Sequence, residues 1–150
     1  MNLIRTDSNN PDFICLVQLL DADLAVRDGN EHAFYSQYNK IDKIKQVVLA
    51  YDGPDPVGCG AIKPYDEHSM EVKRMFTKEG YRGRGIAGDV LKELEAWAAE
   101  LTYQKCLLET GTRQPEAIHL YEKAGYLRIE NYGQYAGVVN SVCFEKKLNV

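Results

Sequence analysis

The segment at residues 82–88 carries the strongest chemical signal in this sequence, because it joins a predicted strand to a strongly amphipathic predicted helix. It consists of Arg82, Gly83, Arg84, Gly85, Ile86, Ala87 and Gly88. Glycines let a backbone approach a ligand closely and adopt conformations closed to other residues. The first turn of a helix leaves N–H groups unpaired, and the helix dipole favours negative charge there. The segment therefore predicts a pyrophosphate site, with a tight turn flanked by solvated arginines as the alternative.

Two other phosphate-binding classes fit the sequence poorly. A Walker A loop requires a glycine followed by lysine and then serine or threonine, and the sequence has no such run. A dinucleotide-binding domain usually opens on a βαβ unit, and the order of predicted elements at the start of this chain differs from that.

Composition limits the class of protein. Of the 150 residues, 45% are apolar and 27% are charged, which is ordinary for one globular domain with its own core. No run approaches the roughly 18 apolar residues of a membrane helix. The first residues lack the regions of a secretory signal, so we expect a cytoplasmic protein without a membrane partner. A net charge of −4 argues against general nucleic-acid binding and permits a cationic substrate.

The cysteines and histidines do not suggest a metal site. The four cysteines are far apart, lie in apolar stretches and have no metal-ligand spacing with the histidines. We therefore expect buried free thiols and no bound metal. The cysteines are Cys15, Cys59, Cys106 and Cys143.

The first half of the chain predicts helices followed by an antiparallel meander. Asn10 and Pro11 have the residue types of an N-cap and a first helical position. A second helix is predicted over residues 31–38. A turn is predicted at 52–56, and the apolar alternation breaks at Arg74 and Met75, which indicates a β-bulge. The strands are predicted at 46–51, 57–63 and 70–77.

The second half predicts alternating helices and strands. One apolar stripe runs from Ile86 to Leu101 at helical spacing. A short helix over residues 115–124 ends with Gly125 at its C′ position. Strands are predicted at 106–110, 126–131 and 141–147. This order indicates a mixed α+β fold with helices packed on a central sheet.

Four segments then match one known family in the same order. Residues 82–87 match an Arg/Gln-x-x-Gly-x-Gly/Ala signature, and residues 72–77 precede it as a strand. Residues 108–111 and 117–126 follow as a strand and a helix. In this the chain resembles the GNAT superfamily of N-acetyltransferases over residues 2–148. The resemblance implies an α+β fold whose mostly antiparallel central sheet is splayed between strands 4 and 5 and flanked by helices, as one domain over 1–150.

The resemblance also implies acetyl-CoA as co-substrate, bound where the two strands splay. At the matching positions the backbone of Met75, Phe76 and Thr77 would hold the acetyl carbonyl and pantetheine arm, and an N–H group near Met75 or Phe76 would stabilise the oxyanion. The pyrophosphate would lie on the N–H groups of residues 82–88. Many family members have an asparagine after the fifth strand; here Gln114 and Thr110 are the candidate contacts instead.

The reaction needs proton transfers. An acceptor amine with a pKa of about 10.4 must lose a proton before it attacks. A proton donor stabilises the departing thiolate. Tyr121 matches the tyrosine that many GNAT enzymes use as donor, with core packing as its alternative role. Glu71 lies near the position of a glutamate base in some members, or it is a solvated partner of Lys73. Glu109 is the competing base, and some members use no direct base.

The leading hypothesis is therefore transfer of an acetyl group to a primary amine of a small molecule, amino-acid-like metabolite or peptide, by direct attack in a ternary complex. Tyr132 and Tyr135, in a predicted loop at 132–137, are candidates for the acceptor pocket, for loop stability or for a dimer contact, and homodimers are common in the family. The rivals are a catalytically silent acyl-CoA-binding sensor and a nucleotide-binding module. Acceptor-dependent release of thiol distinguishes the enzyme from the sensor.

Overall fold

The computed structural model of the chain describes residues 1–28 and 43–148, and the helix predicted at 31–38 lies outside them. The described residues form a seven-stranded sheet with helices on both faces. The elements are β1 (Asn2–Thr6), α1 (Pro11–Asp28), β2 (Gln46–Asp52), β3 (Asp55–Pro64), β4 (Ser69–Thr77), α2 (Ile86–Glu100), β5 (Lys105–Gly111), α3 (Pro115–Lys123), β6 (Leu127–Ile129), a 3-10 turn (Gly133–Tyr135) and β7 (Ser141–Lys147).

The sheet has the strand order β1-β2-β3-β4-β5-β7-β6. The first four strands pair antiparallel in sequence order, as the predicted meander requires. β4 and β5 are parallel neighbours, joined through α2, and β7 pairs antiparallel with both β5 and β6. The predicted α+β class, with a mostly antiparallel sheet, is confirmed.

The two faces of the sheet bury separate apolar cores. On one face α2 buries Ile86, Val90, Leu91, Leu94 and Ala98 against the sheet. On the other face α1 buries a second cluster, which includes Phe13, Leu16, Val17 and Leu20. The predicted stripe on α2 is confirmed except at its end, because α2 stops at Glu100 and Leu101 is exposed.

The helix ends follow the predicted capping residues. Asn10 Oδ1 accepts a hydrogen bond from the Asp12 N–H at 2.9 Å, which caps α1. Gly125 follows α3 with a φ of 93° and donates its N–H to Glu122 O, as a C′ glycine does. Both caps were predicted from local sequence and are confirmed.

Three details of the prediction are wrong. The β2–β3 turn is shorter than 52–56, because Asp52 pairs with Asp55 and only Gly53 and Pro54 lie between the strands. β6 has three residues rather than six, since Tyr126 is drawn into the core, where its N–H caps the Tyr121 carbonyl. All four thiols are free, but Cys15 is exposed on α1, whereas the other three are buried as expected.

A β-bulge interrupts β4 where the sequence predicts it. Cys59 pairs with Phe76 and Ala61 pairs with Lys73, so two steps along β3 match three steps along β4. Arg74 has a φ of 59°, in the left-handed region that non-glycine residues rarely adopt. The extra residue places Lys73 and Phe76 on the same face of the sheet and turns Met75 towards α2.

The bulge depends on the absence of a side chain at Gly60. A Cβ there would clash with Met75 Sδ and lie 2.8 Å from Leu94 Cδ1. We therefore expect Gly60→Ala to lower the free energy of unfolding by about 1–3 kcal/mol, because overpacking displaces these side chains. Denaturant unfolding measures this. Gly88→Ala is the control: its Cβ meets nothing within 4 Å, and alanine favours a helix, so its stability should rise. A Gly60→Ala protein as stable as the parent would contradict the overpacking expected at Gly60.

Candidate active site

The site begins where β4 and β5 separate. The two strands pair at only three positions, Ser69 with Lys105, Met70 with Cys106 and Glu71 with Leu107. Beyond Glu71, β4 continues beside β3 while β5 continues beside β7. A cleft therefore opens between the two strands, and the splay expected from the family resemblance is confirmed.

The cleft brings several predicted residues together. Its lining contains Glu71, Met75, Glu109, Thr110, Gln114 and Tyr121. Tyr135 also lines it, whereas the Phe76 side chain packs in the core beneath α1. The lining further contains Leu20 and Leu24 of α1, which no sequence motif indicated as site residues.

The glycine loop, residues 82–88, leads from β4 into α2. Gly83 and Gly85 have φ values of 80° and 81°, so the turn uses a conformation that suits glycine. The first α2 hydrogen bond runs from Asp89 N–H to Gly85 O at 3.0 Å. The N–H groups of Ile86, Ala87 and Gly88 precede it, in the turn where a helix leaves its donors unpaired.

The surroundings of the loop leave room for an anion. A Cβ built at Gly83, Gly85 or Gly88 would meet no atom within 4 Å. Arg82 is more than a solvated side chain, because its Nε donates to Thr77 O at 2.9 Å and its guanidinium lies 5.6 Å from the centre of the Phe76 ring. Arg84 lies over the Tyr81 ring at 5.1 Å. The residues present thus fit a pyrophosphate held on backbone amides beside two cations.

The glycines at 83, 85 and 88 have the spacing of a dinucleotide-binding loop. Their setting is different. The strand before the loop ends an antiparallel meander, β1 to β4, and the strand after α2 is splayed away from it. The geometry therefore combines an anion loop with a cleft between strands.

Tyr121 is buried and lies on the α3 wall of the cleft. Its ring packs edge-on to Tyr126, with 5.8 Å between ring centroids, and is tilted against Phe144 at 6.2 Å. Burial, and secondarily the charge of Glu109, raise the pKa of Tyr121 well above its usual value. The hydroxyl is therefore protonated throughout the neutral range. Tyr121 therefore packs in the core and also lines the cleft.

Glu71 lies at the point where the strands part. Its side chain is largely buried, and Oε2 accepts a hydrogen bond from the Tyr132 hydroxyl at 2.6 Å. Lys73 Nζ lies 3.6 Å from Oε1. The idea of a solvated Glu71 is wrong, although Lys73 is its neighbour. Burial, and then the charge of Glu71, raise the pKa of Tyr132, which keeps this hydroxyl a donor.

Two tyrosines of the loop before β7 lie near Glu71, and one of them, Tyr135, lines the cleft. Tyr132 packs edge-on against Tyr65 at 5.1 Å and against Tyr135 at 5.9 Å. Tyr135 is buried, and its pKa is raised by that burial and by the charges of Glu109 and Glu71. Tyr132 thus contacts Glu71, and Tyr135 lies near both carboxylates. Their roles in an acceptor pocket, in loop stability or in a dimer contact stay predictions.

The described residues, 1–28 and 43–148, lack two kinds of feature. They contain no cluster of three or more His, Cys, Asp or Glu side chains arranged to hold a metal ion. They also contain no helix that is long and apolar enough to cross a membrane.

Comparison with known proteins now decides the family. The sequence model of the acetyltransferase (GNAT) family matches residues 15–126, which include most of α1, the glycine loop and Tyr121. The chain belongs to the GNAT family. The expected class, an acetyl-CoA-dependent acyltransferase, is confirmed at the level of this family.

Individual relatives agree with the GNAT assignment. The chain is 35% identical over 101 residues to the uncharacterized N-acetyltransferase YsnE of Bacillus subtilis, covering 66% of this chain and 67% of YsnE. It spans about half to two thirds of the length of the curated relatives it matches. A Klebsiella pneumoniae structure described as an acyl-CoA N-acyltransferase matches with a TM-score of 0.82 and 26% identity, over 99% of this chain and 97% of that one.

A further structure shows the shared fold. The GNAT acetyltransferase of Elizabethkingia anophelis, solved with acetyl-CoA bound, matches with a TM-score of 0.68 and 18% identity. The match covers 98% of this chain and 97% of that one. The bound acetyl-CoA is a property of that protein.

Proposed function

We propose that this chain, as one domain over residues 1–150, is a cytoplasmic enzyme that transfers the acetyl group of acetyl-CoA to a primary amine. The acceptor is a small molecule, an amino-acid-like metabolite or a peptide, and the amine attacks directly in a ternary complex. The proposal goes beyond family membership, because it assigns roles to individual residues of the cleft.

One observation carries the proposal: the anion loop and the strand cleft adjoin on β4. Thr77, the last residue of β4, is tied to Arg82 at the start of the loop by a 2.9 Å hydrogen bond. A ligand with a diphosphate at one end and an extended amide-bearing arm therefore meets complementary groups in order. The loop amides and arginines would bind the diphosphate, and the backbone of Met75, Phe76 and Thr77 would pair with the arm.

The remaining cleft residues supply the proton chemistry. Glu71 or Glu109 accepts a proton from the amine or from a water molecule, and Tyr121 donates a hydrogen bond towards the leaving sulfur. A backbone N–H near Met75 or Phe76 stabilises the oxyanion. Gln114, at the N-cap position of α3, lines the cleft and serves as a further contact with the arm.

Release of free thiol from acetyl-CoA, measured against a panel of amines, tests the function. We expect release that depends on the acceptor. Binding of acetyl-CoA without release for any amine would support the rival, a silent acyl-CoA sensor. Binding of ATP or NAD that CoA does not displace would support a nucleotide module instead.

The glycine loop has a test of its own. Alanine at position 85 is strained, because φ is 81° there, and restoring a relaxed backbone turns the loop amides away. Loss of about one charge-assisted hydrogen bond weakens binding by about 10- to 100-fold. We therefore expect Gly85→Ala to weaken CoA binding to this extent in calorimetry.

Gly137→Ala is the matched control. Gly137 has a φ of 76° and the same open surroundings, but it lies in the loop before β7. It should lose similar stability and keep its CoA affinity. If both variants bound CoA as tightly as the parent does, the glycine loop would not be part of the CoA site.

A further inference from the structure

We propose that the acceptor carries a carboxylate as well as its amine, and that Arg74 binds this carboxylate and so sets the specificity. The inference rests on the proposed function, because it names the substrate class of the same cleft. It is carried by an arginine that the motifs did not assign to the site.

Arg74 is a buried cation with incomplete pairing. Its side chain is only 2% exposed, and it lines the cleft. Nη1 donates to Asp21 Oδ1 of α1 at 3.1 Å, but that aspartate side chain is 48% exposed. Nη2 is buried and has no hydrogen-bond partner within the described part of the chain. A buried guanidinium donor without an acceptor is costly, so an anionic ligand is the natural partner.

The β4 bulge holds Arg74 in a backbone conformation that is unfavourable for a non-glycine residue. Non-glycine residues rarely adopt the left-handed region, and the bulge imposes it on Arg74, whose φ is 59°. The bulge places Arg74 directly after Lys73, on the side of the sheet that faces α1. Two cations therefore lie in succession along the wall of the cleft.

The charges of the cleft suit an acceptor with both signs. Glu71 and Glu109 line it as carboxylates, and Lys73 and Arg74 line it as cations. An amine meets the carboxylates where β4 and β5 part, while the acceptor carboxylate meets the guanidinium further along β4. Arginine is suited to this role because its planar fork matches a carboxylate. Amino acids and related amino carboxylates have this arrangement of charges.

The test compares acceptors that differ only in the carboxylate. Thiol release is measured for each amino acid beside its carboxamide and its decarboxylated amine. These analogues bracket the basicity of the amine, because the first is less basic than the amino acid and the second is more basic. We expect kcat/KM for the accepted amino acid to exceed both analogues by about 10- to 100-fold.

Substitutions assign this ratio to Arg74. Arg74→Met should bring it close to one, and Arg74→Lys should leave part of it, since lysine keeps the charge without the fork. Asp21→Asn is the matched control: it removes the ion pair but keeps the guanidinium, so the ratio should persist. If Arg74→Met does not fold, the same ratio measured for the parent, Arg74→Lys and Asp21→Asn shows whether Arg74 sets the preference for a carboxylate.

Several results overturn the inference. Equal rates for amino acids and both analogues exclude a carboxylate site, and an equal loss for all acceptors in Arg74→Met indicates a purely structural arginine. Loss of the ratio in Asp21→Asn indicates that the preference depends on the ion pair and not on a guanidinium that binds the acceptor. If only amines without a carboxylate release thiol, this inference fails and the proposed function stands. If no amine does so, the proposed function fails as well.

Discussion

Tyr121→Phe should lower kcat by about 10²- to 10³-fold while leaving the fold intact. The substitution removes one hydroxyl from a buried ring and keeps the ring contacts with Tyr126 and Phe144. A thiol has a pKa of about 8.5, below that of the tyrosine, so complete proton transfer to the leaving thiolate is uphill. Tyr121 therefore acts mainly by donating a hydrogen bond as charge develops on sulfur. Steady-state thiol release measures the loss.

The control is Tyr126→Phe, another buried tyrosine, which directly follows the glycine that ends α3. Its hydroxyl donates to Glu95 Oε2 at 2.9 Å, outside the cleft lining. This variant should lose about 1 kcal/mol of stability and keep its turnover. Full turnover in Tyr121→Phe would refute the assignment and leave the residue as core packing.

The pH profile gives a second measure of Tyr121. Because burial raises its pKa above the ordinary value of about 10, the donor form persists at every pH below that value. Ionisation of Tyr121 should therefore not lower turnover by the parent at any pH below about 10. An alkaline limb below that pH which Tyr121→Phe abolishes would show that the hydroxyl ionises in the working range.

The parts of the site that the sequence predicted depend on local signals. The glycine loop lies within seven residues, and the stripe that follows it has helical spacing, so both could be recognised without knowing the rest of the fold. The β4 bulge was also visible as a break in alternation at Arg74 and Met75. Each of these features is determined by near neighbours in the chain, and each is present in the structure.

The parts that were missed depend on long-range packing. The hydroxyl of Tyr132 reaches Glu71 across 61 positions of sequence, and nothing near either residue predicts the pairing. The position of Arg74 depends on the phase shift of the bulge, and its contact with Asp21 of α1 spans 53 positions of sequence. The β2–β3 turn was predicted too long because composition does not give the pairing register. Strand register decides where a turn ends, and it is set by the whole sheet.

Glu71→Gln should lower kcat/KM for the acceptor by about 10²- to 10⁴-fold and remove the acidic limb of its pH profile. An enzyme that needs a carboxylate base loses turnover at acidic pH, as the carboxylate takes up a proton. Glutamine keeps the shape and still accepts from the Tyr132 hydroxyl, but it takes up no proton. The limb set by the carboxylate should therefore vanish in this variant, and the residual rate should follow only the fraction of unprotonated acceptor amine.

Glu109→Gln is the matched variant, because Glu109 is the other carboxylate that lines the cleft. Glu71 is the better base on geometry: it is largely buried where the strands part, and the Tyr132 hydrogen bond fixes the direction of its oxygens. We expect Glu109→Gln to keep the acidic limb and to lose less activity. The reverse pattern would make Glu109 the base. An acidic limb of the same shape and position in the parent and in both variants would mean that the amine loses its proton to water without a carboxylate.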